Sequence, residues 1–324
     1  MKYIIILENF ANYKNLYNIL LCLLFSFFSI STQKQNLNKI YKLISDSEII
    51  LTIIGTDKQQ ILNNNFNQKP SEILVNGNKI EKVDYYVDDL KMEENNITIR
   101  FNETLTSCAH MFSGLSNITK ITFNMVDFSG TSTKSMFLGC SNLESLDLRN
   151  FDISYVTNMA CMFLGCSKLE SLDLSNFHAS SILDMGDMFN SCNSLLSLDL
   201  SNFDTSSATN MGHMFYGCYK LTSLNLGNIK TSFVTYIDYM FYGCSNLISL
   251  DLSNFDTSSA KGMNNMFEGC NNLISLNLSN FDTTSVENMK DILKGCNENL
   301  KYCYYEKIKI SHLLFSSSTA CCKC

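Results

Sequence analysis

Residues 198–218 read Leu198-Asp199-Leu200-Ser201-Asn202-Phe203-Asp204-Thr205-Ser206-Ser207-Ala208-Thr209-Asn210-Met211-Gly212-His213-Met214-Phe215-Tyr216-Gly217-Cys218. The same phrase returns along the chain. Cys140, Cys166, Cys192, Cys218, Cys244, Cys270 and Cys296 stand 26 residues apart. Met-Phe keeps step at Met136-Phe137, Met162-Phe163, Met188-Phe189, Met214-Phe215, Met240-Phe241 and Met266-Phe267, and Ile292-Leu293 replaces it in the last copy. An earlier copy, Met111-Phe112, precedes Met136 by 25 residues and carries Leu115 in place of the cysteine. Self-similarity at a fixed period means that each copy is one structural unit, stacked on the next.

Each half of the unit has its own periodicity. Leu146-Asp147-Leu148 alternates apolar and polar residues as a half-buried strand does, and Leu172/Leu174, Leu198/Leu200, Leu224/Leu226, Leu250/Leu252 and Leu276/Leu278 repeat it. In the second half, Ala208, Met211, Met214 and Phe215 fall at i, i+3, i+6 and i+7. That spacing predicts a short helix, with Ser206 or Ser207 as N-cap and Gly217 as the stop. Strand, turn, helix and turn within such a period is the leucine-rich-repeat plan. One coil leaves its inward Leu, Phe, Met and Cys open above and below, and neighbouring coils close that gap. The expected fold class is therefore α/β: a curved leucine-rich-repeat solenoid of 26-residue coils. A parallel sheet would form one face, short helices the other, and an N-terminal β-rich cap would cover the first coil.

The phrases at residues 198–206 and 250–258, together with Asn-Met-x-x-Met-Phe-x-Gly-Cys at 158–166 and 210–218, resemble those of the BspA-type leucine-rich-repeat surface proteins. The resemblance covers roughly residues 105–300 and implies adhesion and protein binding.

Outside the repeats, Lys2 and Lys14 precede the apolar run from Ile19 to Ile30, which has signal-peptide length and ends in Ser29-Ile30-Ser31. The reading is a signal peptide over 1–31, with an uncleaved anchor as the alternative. Residues 32–104 form the cap. Its runs Glu48 to Ile54 and Asn96 to Arg100 read as strands, with turns at Gly55-Thr56-Asp57 and Asn76-Gly77-Asn78. The solenoid occupies 105–300, and a C-terminal cap or tail 301–324, ending in Cys321, Cys322 and Cys324. If the host is eukaryotic, Asn96, Asn102 and Asn117 would be glycosylation acceptors.

Charge and chemistry narrow the function. The chain carries −7 overall, whereas residues 140–296 hold 7 Lys and Arg against 16 Asp and Glu. An acidic surface repels phosphate backbones, so nucleic acid is not an expected partner. His110, His178, His213 and His312 show no zinc spacing and no nucleophile motif. Neither an enzyme, nor a cofactor, nor a metal site is expected. Two acidic rows, Asp147/Asp173/Asp199/Asp251 and Asp152/Asp204/Asp256/Asp282, admit a bridging calcium, against the simpler reading that each Asp bonds its own turn. The cysteine ladder is expected to be buried and reduced, acting as small hydrophobes.

These observations point to a secreted or surface binding protein engaging an extracellular protein or glycan. A coat protein without a single partner is the alternative, and an assembly subunit pairing through its ends or an edge is a third. Membrane contact would come only through an N-terminal anchor. Because core positions repeat by necessity, selectivity belongs to outward positions that depart from the pattern. Tyr216, Tyr219, Phe233, Tyr236, Tyr239 and Tyr242 are the candidate partner-binding residues, rings where other coils mostly carry small or polar ones. Mutual packing of these rings over a local gap is the competing reading.

Overall fold

A computed structural model of the chain describes residues 47–300, apart from Asp127, Asn176, His178, Ala179, Ser180 and Asn299. The expected signal segment, the first part of the expected cap, His312 and the terminal cysteines lie outside these residues.

The N-terminal strands are β1 (Ser47–Ile54), β2 (Asp57–Gln60), β3 (Glu72–Val75), β4 (Asn78–Lys79), β5 (Tyr86–Leu90) and β6 (Glu94–Phe101). The repeats begin with β7 (Ile118–Met125) and β8 (Ser145–Asp147). Four further three-residue strands follow: β9 (Ser197–Asp199), β10 (Ser223–Asn225), β11 (Ser249–Asp251) and β12 (Ser275–Asn277). One sheet runs in the order β4-β3-β6-β1-β7-β8, while β2 pairs with β5. Within it β1 is antiparallel to β7, and β7 is parallel to β8, with Ile121 opposite Leu146. The N-terminal strands therefore cover the edge that the first repeat strand would otherwise expose.

Alternation sets the face of each strand. Ile49, Leu51 and Ile53 of β1 and Ile97, Ile99 and Phe101 of β6 are buried. On the opposite face Arg100 reaches Glu48 at 2.8 Å and Glu72 at 2.5 Å, pinning three strands in register. The β3–β4 hairpin turns through Asn76 (φ 50°) and Gly77 (φ 81°), the left-handed pair that suits the twist of a two-residue hairpin.

The second half of each coil departs from expectation. The fold is β-rich, and among the described residues the only helical positions are Glu298 and Leu300. Ala208, Met211, Met214 and Phe215 do face the core, but from consecutive tight turns and not from a helix. A helix would consume each N–H within its own segment. Here alternate N–H groups point along the stack. Met211 donates to Tyr236, His213 to Asp238, Phe215 to Met240 and Gly217 to Tyr242, at 2.7–2.9 Å. The N–H groups of Tyr216 and Cys218, between or beside these, close short turns onto His213 and Phe215.

That alternation requires left-handed backbone. His110, Ser135, Cys161, Asp187, His213, Tyr239, Asn265 and Asp291 all have φ between 54° and 61°. Four residues after each comes a second left-handed position, held by Gly217 (φ 69°) and its equivalents and once by Ser191 (φ 61°). No helix can pass through two such residues.

Inside the turns, ring stacks on ring. Phe112, Phe137, Phe163, Phe189, Phe215, Phe241 and Phe267 form a column with centroids 5.4–5.9 Å apart and planes within 12°. Beside it each ladder cysteine from Cys140 to Cys296 donates its thiol to the carbonyl of a phenylalanine in the preceding coil, at 3.0–3.2 Å. Thr205 is buried with them; it donates to the Lys230 carbonyl and accepts from the Lys230 N–H, at 2.8 and 2.7 Å. On the sheet side β9 pairs with β10 and β11 with β12, both parallel and in register. Leu172 and Leu174 are buried in the equivalent positions, where no strand is formed.

The ladder cysteines from Cys140 to Cys296 are free thiols, and their burial has a pH consequence. Burial pushes the Cys140 and Cys218 thiols from 9.0 up to about 12. Below about pH 9 both folded and unfolded chains keep these protons, so stability does not change. Above it the unfolded chain releases protons that the folded chain retains. Each thiol then withdraws about 1.4 kcal/mol of stability per pH unit until the folded value is reached. Circular dichroism should therefore show cooperative alkaline unfolding. The Cys140→Ala/Cys218→Ala variant should lose stability with pH less steeply, by about two protons. Stability that stays level well above pH 9 contradicts this.

Candidate binding surface

The turn positions that build the core also decide which side chains leave it. Because a coil repeats every 26 residues, an outward side chain lies directly over its equivalent in the next coil. Where both equivalents are aromatic, the rings must stack. Tyr216 and Tyr242 do so, with centroids 4.6 Å apart and planes 6° apart. His213 and Tyr239, the left-handed residues of the same two coils, stack at 4.9 Å and 7°. Tilted contacts of 5.9 Å join His213 to Tyr216 and Tyr239 to Tyr242. The result is a two-by-two block of half-buried rings on the coils ending at Cys218 and Cys244. Burial, followed by the neighbouring phenols, pushes the Tyr216 hydroxyl above its ordinary value.

The six candidate residues thus divide. Tyr216, Tyr239 and Tyr242 pack on one another, with His213 as a fourth member. In the sequence His213 shows no zinc spacing and no nucleophile motif, and it is not among the candidate residues. Laying its 26-residue equivalents side by side would have set it over Tyr239. Tyr219 is 49% exposed, and its ring lies over the Cβ positions of Gly217 and Gly243 at 3.2–3.7 Å. Phe233 and Tyr236 project at 64% and 61% exposure, and among the described residues no ring contact joins them to the block. Tyr236 takes a position at which other coils carry Asn158, Asp184, Asn210, Gly262 and Asn288. A second exposed row, Leu196, Ile248 and Ile274, lies just before the strands.

The acidic rows are turn-forming. Asp199 accepts from the Ser201 N–H at 2.8 Å and Asp251 from that of Ser253 at 2.9 Å. Asp204 and Asp256 accept likewise from Ser206 and Ser258 at 3.0 and 3.1 Å. Hydrogen bonds to Ser201 hold the Asp199 carboxyl below the usual carboxylate range, and those to Ser206 do the same for Asp204. Each carboxylate is thus engaged by its own turn. Among the described residues no three His, Cys, Asp or Glu side chains gather as a metal would require.

Of the three expected acceptor asparagines, Asn102 sits on an exposed bend. Asn96 is exposed on β6 and accepts from Thr52 at 3.1 Å. Asn117 is half-buried and donates its amide to the Gln60 carbonyl at 2.9 Å. Among the described residues no helix is long and apolar enough to cross a membrane.

A stack of short parallel strands and hydrogen-bonded turns, uniform within and variable along one edge, is a repeat protein. The chain belongs to the family described as Mycoplasma protein of unknown function, DUF285, whose matches at residues 131–225 and 219–322 cover more than half of it. No curated protein matches the chain.

The stacked tyrosines should be energetically coupled. Tyr216→Ala and Tyr242→Ala, singly and together, are expected to show a coupling of about 1 kcal/mol in thermal or urea unfolding. Additive effects would mean that the stack contributes nothing beyond the area each ring covers.

Proposed function

We propose that this chain is a secreted or cell-surface leucine-rich-repeat solenoid of the BspA type. It binds an extracellular protein or glycan and catalyses nothing. The observation that carries this reading is the contrast between rows. Phe, Met, Cys and Leu recur at the core positions of coil after coil, while six of the outward positions on two neighbouring coils and the turn between them hold aromatic rings. A core needs repetition to stack, whereas nothing in stacking requires Phe233 and Tyr236 to stand open to water. Exposed Tyr and Phe side chains combine apolar area with low conformational entropy, which suits them to partner contact. Parallel pairing of consecutive strands and the continuous phenylalanine column support the solenoid reading. The acidic repeats support a partner other than nucleic acid. The signal-like segment at residues 1–31 supports export, and the Asn102 bend supports glycosylation in a eukaryotic host.

Two measurements test the reading. An antibody raised against the repeats should stain intact, unpermeabilised cells; staining only after permeabilisation overturns the surface location. The recombinant chain, immobilised on beads, should retain partner material from the cell exterior. Phe233→Ser/Tyr236→Ser should lower that retention about tenfold or more while leaving the melting temperature unchanged within error. Equal retention by wild type and variant removes these two rings from the site.

A further inference from the structure

Along the turn edge of the coils ending at Cys244, Cys270 and Cys296 runs an open groove of about 480 Å³. Its floor is Gly243, Gly269 and Gly295, and its flanks follow from the period. The residues one before each glycine, Tyr242, Glu268 and Lys294, form one wall. Those two after, beginning with Ser245 and Asn271, form the other. Tyr219 closes the upper end. Its ring lies against the glycine row, 3.7 Å from the Cβ position of Gly217 and 3.2 Å from that of Gly243. Near this end the Oδ1 of Asn193 is buried without a hydrogen-bond partner, 3.9 Å from the same Gly217 position.

The chemistry of these walls excludes most ligand classes. Two of the three floor glycines, Gly243 and Gly269, have no free backbone N–H to offer an extended peptide. The Gly243 and Gly269 N–H groups donate to Glu268 and Lys294 at 2.7 and 2.8 Å, and the Ser245 N–H donates back to Gly243 at 2.7 Å. Strand addition needs such groups unpaired. A quaternary ammonium needs several rings facing one centre, but the inner face of Tyr242 is already covered by Tyr216. A polyanion meets acidic repeats. Lys294 and Glu268 pair at 2.8 Å and largely cancel one another, and the ammonium holds the carboxyl below its usual range. What remains is a flat aromatic surface beside a carboxylate, an amide, a hydroxyl and an ammonium, acceptors and donors together. The complement is a neutral molecule with one apolar ring face and a rim of hydroxyls.

We propose that this groove binds a neutral pyranose residue of a glycan. The sugar's C–H face lies on Tyr219, and its hydroxyls donate to Glu268 and accept from Asn271 and Lys294. The proposal rests on the reading of the chain as an extracellular binding protein and names its ligand class.

The test uses the full chain and the methyl pyranosides of glucose, galactose, mannose and N-acetylglucosamine at millimolar concentration. Saturation-transfer NMR should show transfer to the ring C–H protons of at least one of them. Tyrosine fluorescence should titrate in parallel, since the chain has no tryptophan to mask it. Tyr219→Ala and Asn271→Ala should each weaken binding about tenfold without changing the melting temperature. No transfer from any of the four, or transfer that survives both substitutions, overturns the proposal. Cell staining and bead retention on the same proteins separate the two claims. If they persist while no pyranoside binds, the sugar site falls and the extracellular reading stands. If a Tyr219-dependent pyranoside signal persists while staining and retention fail, the groove stands and the extracellular reading falls.

Discussion

The rest of the structure depends on where the backbone N–H groups of the turns point. From His110 to Asn265 the left-handed residue of each coil aims its N–H at the carbonyl of the residue before its own equivalent in the next coil: Cys161 to Gly186, Asp187 to Gly212, Tyr239 to Asn264. A left-handed L-residue costs about 1 kcal/mol, and a hydrogen bond returns about as much. The conformation is therefore near break-even with a neighbour in place and unfavourable without one. Stacking of Phe and Cys supplies the surplus, since both stand where the turns bring equivalent side chains into contact. An isolated coil has neither acceptor nor ring to stack on, so order in one coil presupposes order in the next.

Much of this was legible in the sequence because repetition carries geometric information. The 26-residue period, the inward rows of Leu, Met, Phe and Cys, and the turn-bonding Asp positions all follow from the repeat phrase. The helix did not form for an equally physical reason. Apolar residues at i, i+3, i+6 and i+7 share a face on a helix, and successive tight turns present Met211, Met214 and Phe215 inward just as well. The discriminating feature is the backbone at positions such as 213 and 239, where His, Ser, Cys, Asp, Tyr and Asn all occur. Six side chains so unlike one another leave no compositional signature. Gly217 was read as a helix stop when it is one half of a repeated left-handed pair.

The candidate surface shows the same division. That the coils ending at Cys218 and Cys244 are rich in aromatics is visible in the letters. That Tyr216 covers Tyr242 and His213 covers Tyr239, while Phe233 and Tyr236 stay apart, depends on the stacking vector between coils. The groove that joins the candidate Tyr219 to Glu268 and Asn271 is not legible in the letters because it runs across coils, and Tyr219 and Asn271 stand two full periods apart. A repeat protein of this kind separates two demands. Its core rows must be alike to stack, and its edge rows are free to differ, so a local surface can change without disturbing what holds the coils together.

The bonds between coils also bear on how such a chain changes length. Donors and acceptors recur at matching places, as in Phe189 to Met214, Phe215 to Met240 and Phe241 to Met266. Excising one whole unit from the middle would bring two surfaces together that already fit. Removing a fraction of a unit would leave the Phe column and the thiol row out of line. Gain and loss of coding sequence are thus constrained to integral steps within the repeats. The one short step, the 25 residues between Met111 and Met136, falls beside the antiparallel strands, where the stack begins. Unequal exchange between near-identical units is then a route by which reach, and the number of outward rows, changes while every junction remains one the protein already makes.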